Sequence, residues 1–120
     1  MSPHPIVHIE ISSKNLEESG KFYANVFDWQ VEHIPAMNYA TFVAAPGPGG
    51  GFNPVANMPA GSTIVYIDTD DIDATLAKVV ANGGKVLRPK DEIPGFGWFG
   101  MFEDPTGNQV GLFTALPRSS

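Results

Sequence analysis

His8 and Glu10 are the two side chains near the N-terminus best suited to moving protons, and they stand two apart in Val7-His8-Ile9-Glu10-Ile11. Apolar and polar residues alternate through this segment. That period of two puts both polar side chains on one face of a strand, about 6–7 Å apart. Imidazoles titrate near neutrality, and one steadied by a carboxylate can take or give a proton, so the pair suits general acid–base chemistry. The same two residues suit the polar wall of a ligand site equally well. Other chemistries have less to work with. The chain has no cysteine, which excludes disulfides, thiolate metal sites and cysteine nucleophiles. His4 and His33 lack companions at metal-binding spacing. The glycine run at 47–51 is followed by no Gly-Lys-Ser/Thr, so it is not a phosphate-binding loop. Asp68, Asp70, Asp71 and Asp73 read as caps and first-turn acids of a helix rather than as a calcium loop.

The elements that would hold His8 and Glu10 occur twice. Val7–Ile11 followed by Asn15-Leu16-Glu17-Glu18 returns, about 56 residues on, as Thr63–Ile67 followed by Asp71-Ile72-Asp73-Ala74. Each copy is a strand, a polar link, a capped helix and then Gly-rich strands. In the first copy Asn15 caps the helix with Glu18 three residues on, and Leu16, Phe22 or Tyr23, and Val26-Phe27 form its apolar stripe. Strands are expected at Trp29–Ile34 and Asn38–Ala45, then a turn or bulge at Pro46–Gly51 and a short strand near Phe52. Pro54–Gly61 is a connector. The second copy predicts a helix from Asp70 or Asp71 to about Asn82, stopped by Gly83-Gly84. Strands follow at about 85–88, 97–103 and 109–115, the last two joined by the Asp104-Pro105-Thr106-Gly107-Asn108 turn. The fold class is α+β: two βαβββ units, about 5–54 and 62–117, within a single domain of 1–120. Pairing them into a curved eight-stranded mixed sheet would leave helices on the convex face and a pocket on the other. Ser119-Ser120 should be a loose end.

Three stretches carry a family resemblance across essentially the whole chain: Asn15–Tyr23 with Val26-Phe27, Asp70–Ala74 leading to Asn82-Gly83-Gly84, and the Asp-Pro-Thr-Gly-Asn turn before Gln109-Val110-Gly111-Leu112. Together they resemble the vicinal oxygen chelate superfamily, which includes glyoxalase I, bleomycin-resistance proteins and extradiol dioxygenases. The resemblance implies fold more than reaction, because such scaffolds host lyases, oxygenases, transferases and binders. In metal-using relatives the ligands come from the first and last strands of each unit. Carried over, those places hold His8, Gly51, Ile64 and Gly111. Divalent ions want about three or four nitrogen or oxygen donors, and here three of the four places donate none. The expectation is therefore no cofactor; were a metal present, His8 would be a ligand.

In place of a metal site we expect a pocket for a small, largely apolar or aromatic molecule, deepened by Gly51 and Gly111. His8, Glu10 and Gln109 would fix polar groups, while Ile64, Tyr66 and Phe113, in phase with Gly111, would line the wall. Trp98, in the Gly/aromatic run 94–100, would stack on the ligand, whereas Phe99 suits a core. Tyr39 and Phe42 offer aromatic contact without a decided facing. The alternative is an enzyme of the same superfamily, lyase- or dioxygenase-like, or metal-free with His8 and Glu10 catalytic. A formal charge of −6 and pI near 4.8 argue against nucleic acid and anionic lipid as partners. No apolar run approaches membrane-spanning length and the start is unlike a leader, so the cytoplasm is the default. The resemblance implies a homodimer.

Overall fold

The computed structural model describes residues 3–117, and Ser119-Ser120 lie outside them. It is α+β, with eight strands and two α-helices in two βαβββ repeats. By contacts the chain divides at Ile6/Val7 and Val65/Tyr66, so one unit is Val7–Val65 and the other joins the residues through Ile6 to those from Tyr66 onward.

The Val7–Val65 unit contains β1 (Ile6–Ser13, beginning one residue earlier), α1 (Leu16–Phe27), β2 (Gln30–Ile34), β3 (Tyr39–Val43) and β4 (Gly49–Pro54). Its strands run in the order β2-β3-β4-β1, with β1 and β4 parallel and the other pairs antiparallel. The Asn15 side chain caps α1 by accepting the Glu18 N–H at 3.0 Å. The apolar side of the sheet meets α1 through buried Ala40, Phe42 and Phe52, joined by Ile11, Leu16, Tyr23 and Trp29. Of the two aromatic candidates on α1, Tyr23 faces the core, stacked on Trp29 and tilted against Phe52 with ring centroids 5.2 Å away in each case. Phe22, Val26 and Phe27 are more than half exposed, so the inward stripe is narrower than the sequence implies. Glycines 49–51 form strand rather than turn. A run of glycines usually signals a break, but here close neighbours make small residues necessary in the ladder.

The other unit holds β5 (Thr63–Asp68, entering across the division), α2 (Ile72–Ala81), β6 (Lys85–Ile93), β7 (Gly97–Glu103) and β8 (Gln109–Ala115). Its order is β5-β8-β7-β6, again with the outer parallel pair made by first and last strands. Strand β6 extends five residues beyond the expected stretch, crossing two irregularities in its pairing with β7. Asp71 caps α2 through the Ala74 N–H, and Ile72, Leu76 and Leu112 form its core.

The 56-residue spacing is exact in the polar links before the helices. The Ser13 hydroxyl meets that of Ser19 at 2.7 Å and accepts the Asn15 N–H. The Thr69 hydroxyl meets that of Thr75 at 2.7 Å and accepts the Asp71 N–H. Ser13 and Thr69 are buried, so each hydroxyl pair satisfies polar groups that would otherwise destabilise the helix start. No helix among the described residues is long and apolar enough to cross a membrane.

Candidate functional site

Period-two alternation sends Ile11 of β1 toward α1 and leaves His8 and Glu10 on the opposite, helix-free face. The parallel register sets His8 beside Gly49 and Glu10 beside Gly51 of β4. Gly51 in turn pairs with Thr41 of β3, and Tyr39 lies two residues before Thr41 on the same face. A Cβ at Gly51 would run into the Tyr39 hydroxyl and ring. Glycine is thus required because a tyrosine occupies the space above it.

The phenol joins the two polar residues of β1. Its hydroxyl donates to Glu10 Oε2 at 2.9 Å and lies 2.8 Å from His8 Nε2. The direct His8 Nε2 to Glu10 Oε2 separation is 3.7 Å, too long for a hydrogen bond, so Tyr39 is the bridge. The other carboxylate oxygen, Oε1, accepts from Asn53 Nδ2 at 3.2 Å, and Asn53 Oδ1 accepts from Asn57 Nδ2 at 2.9 Å. The Glu10 side chain is 13% exposed and that of His8 32%, so the chain runs from a nearly enclosed carboxylate to an accessible imidazole. Burial pushes the Glu10 carboxyl up. His8 beside it and the Tyr39 and Asn53 donors more than offset that push, leaving it below its ordinary 4.5. Glu10 is therefore an anion, able only to accept.

The second unit repeats the glycine arrangement with different chemistry. Gly111 of β8 pairs with Tyr66 of β5, and a Cβ at Gly111 would collide with the Tyr66 ring. Neither glycine leaves the void expected of it, since each makes room for a tyrosine. Gln109, Gly111 and Phe113 share the helix-free face of this unit, facing Glu103, Met101 and Phe99 across β7. Gln109 Nε2 lies 3.6 Å from the Met101 sulfur. Ile64 and Tyr66 are buried.

Trp98 is elsewhere. In the β7–β8 ladder Gly100 pairs with Leu112, and a Cβ at Gly100 would touch Ile72 and Leu76 of α2, so this is the helix face. Trp98, in phase with Gly100, packs on the Ile72–Leu76–Leu112 cluster with Lys90 Nζ 5.3 Å from its ring centroid. It therefore cannot share a wall with Gly111. Phe99, expected in a core, is the aromatic of that run on the Gly111 face. Alternation within β7 decides this, and Gly97 and Gly100 obscured its phase. Asn53 and Asn57 escaped notice as site residues, and Tyr39 was weighed only as an aromatic contact of undecided facing, not as a hydrogen-bond bridge. Asn53 is in phase with Gly51, and that was the available signal.

The family's metal places can be tested on these observations. Gly51 and Gly111 lie under tyrosine rings, Ile64 has no donor atom, and His8 is engaged with Tyr39. Among the described residues no three His, Cys, Asp or Glu side chains are grouped to hold an ion. The residues present do not fit the metal.

The chain matches the model of the Glyoxalase/Bleomycin resistance protein/Dioxygenase superfamily over residues 5–112. It is 34% identical over 118 residues to a glyoxylase-like domain-containing protein of Didymella fabae, covering 88% of this chain and 90% of that one. It is 30% identical over 124 residues to the glyoxylase-named protein CFP32 of Mycobacterium bovis, covering 89% of this chain. The match spans only 44% of that protein's length. Among solved structures, a Streptomyces coelicolor methylmalonyl-CoA epimerase superposes with a TM-score of 0.70 at 18% identity, covering 99% of both chains. That likeness concerns the fold.

Proposed function

The chain belongs to the glyoxalase/bleomycin resistance protein/dioxygenase superfamily, and on that premise we propose that it binds a small, largely apolar or aromatic molecule without the family metal. The observation that carries this reading is the Tyr39 bridge. The phenol fills the space over Gly51 and engages both His8 and Glu10, so the one imidazole among the family's ligand places serves an organic hydrogen-bond chain. A partly exposed imidazole on a fixed, ionised support can hold a ligand's carbonyl, hydroxyl or carboxylate group. Separately, within the other unit, the helix-free face around Gly111 carries Phe99 and Phe113, aromatic surface of its own. The protein acts in this reading as a cytoplasmic homodimer.

Calorimetric titration of chelator-treated protein with a panel of small aromatic acids and ketones tests the reading. Binding should be unchanged by added divalent ions and weakened about tenfold in His8→Ala, the scale of one charge-assisted hydrogen bond. Binding that requires an added ion would contradict it.

A second reading, metal-free acid–base catalysis at His8 and Glu10, is favoured by the connected carboxylate, phenol and imidazole. It requires that His8→Ala lose turnover by much more than it loses affinity.

A further inference from the structure

Among the described residues β2 pairs with β3 alone and β6 with β7 alone, so each has one open edge. An open edge presents N–H and C=O groups to any passing strand, and proteins guard such edges with proline, charge and bulges. β6 carries all three guards: Pro89, the charges of Lys85, Arg88, Lys90, Asp91 and Glu92, and two irregularities in its pairing. β2 is not guarded in this way. Gln30–Ile34 holds an unbroken register with β3, contains no proline, and leaves Gln30, Glu32 and His33 exposed.

A second β2, antiparallel and related by a twofold axis, must set residues of like facing opposite each other. Val31 and His33 face α1, where both approach Gly20, and alternation turns Gln30 and Glu32 to the other face. Centring the pair on Glu32 would oppose two carboxylates, which is destabilising. Centring it on His33 would set Glu32 against Ile34, and centring it on either end would leave half the strand unpaired. Centring it on Val31 sets Val31 against its own copy and Gln30 against Glu32 twice, amide to carboxylate. It also sets Trp29 against His33 on the helix side, where Phe27 is more than half exposed with its ring 5.7 Å from that of Trp29. We propose that β2 is a self-association edge, joined to the β2 of a second copy of this chain in the register centred on Val31.

The inference gives the homodimer of the proposed function its contact surface and rests on that reading. The chain has no cysteine, so a single introduced one can bridge only to its copy. Opposed Cα atoms in such a pair are about 4.5–5.5 Å apart, within disulfide range. Under copper-catalysed air oxidation, Val31→Cys should therefore cross-link at least tenfold faster than Glu32→Cys or His33→Cys. Equal rates, or faster cross-linking of either of the other two, would overturn the register. Charge variants at the exposed positions give a second route that leaves the Val31 packing alone. In sedimentation equilibrium Gln30→Glu should weaken the dimer roughly tenfold, Gln30→Lys should tighten it, and adding Glu32→Lys to Gln30→Glu should restore it. A dimer indifferent to these changes would overturn the inference and leave the homodimer reading standing. A monomer at every concentration would overturn both.

Discussion

The Tyr39 ring stands where a side chain at Gly51 would have to be. Restoring a side chain to a family ligand place therefore means displacing the residue that bridges His8 and Glu10. Gly51→Ala should destabilise the protein by about 1–3 kcal/mol through overpacking. In a Tyr39→Ala background the same substitution should cost much less, because its collision partner is gone. Urea unfolding of the four proteins measures the coupling, and additive effects would mean that Tyr39 does not cover Gly51.

Glu10 gives acid stability a definite sign. Its carboxyl is held below the ordinary 4.5 in the folded protein, so its contribution is complete at higher pH and is lost as pH falls below that value through the depressed one. Glu10→Gln should flatten that part of the stability curve and lower stability near neutrality. Denaturant melts across the acid range follow this, and parallel curves for variant and wild type would contradict it.

Asp104 supports a similar test at a surface turn. Its carboxylate accepts the Asn108 backbone N–H and side-chain amide, each at 2.9 Å, together with the Thr106 N–H and hydroxyl. These donors pull it from 3.8 to about 2. The turn's stabilisation should be full above 3.8 and fade as pH falls from there toward about 2. Nuclear magnetic resonance titration of the Asp104 carboxyl should find that depressed value, and Asn108→Ala should raise it. An unshifted titration in wild type would count against the turn geometry.

Trp98 should behave as a core residue. Trp98→Ala is expected to cost on the order of 3 kcal/mol, as large-to-small core changes do, and to leave ligand affinity unchanged. Phe99→Ala should show the reverse emphasis. Thermal unfolding and titration of both variants separate the roles.

These contrasts show which features were legible in the sequence. The strands of the repeat, the caps Asn15 and Asp71, and the 104–108 turn follow local rules, and local rules are visible in a string of letters. His8 and Glu10 shared a face for the same reason. Tyr39 reaches Glu10 only through the register of β3 on β4 and of β4 on β1, which no residue in β1 encodes. The glycines misled twice. Glycines 49–51 look like a turn until their neighbours are known, and Gly51 looks like empty space until Tyr39 is placed. On α1, Phe22 and Tyr23 are adjacent and equally aromatic, so only packing against Trp29 and Phe52 distinguishes them.

The central claim is ligand binding without the family metal, and native mass spectrometry of the freshly purified protein before and after chelation addresses it most directly. The account predicts a small-molecule adduct that survives the chelator and is lost or weakened in His8→Ala. One zinc, nickel, iron or manganese ion per chain, stripped by the chelator and absent from His8→Ala, would contradict it.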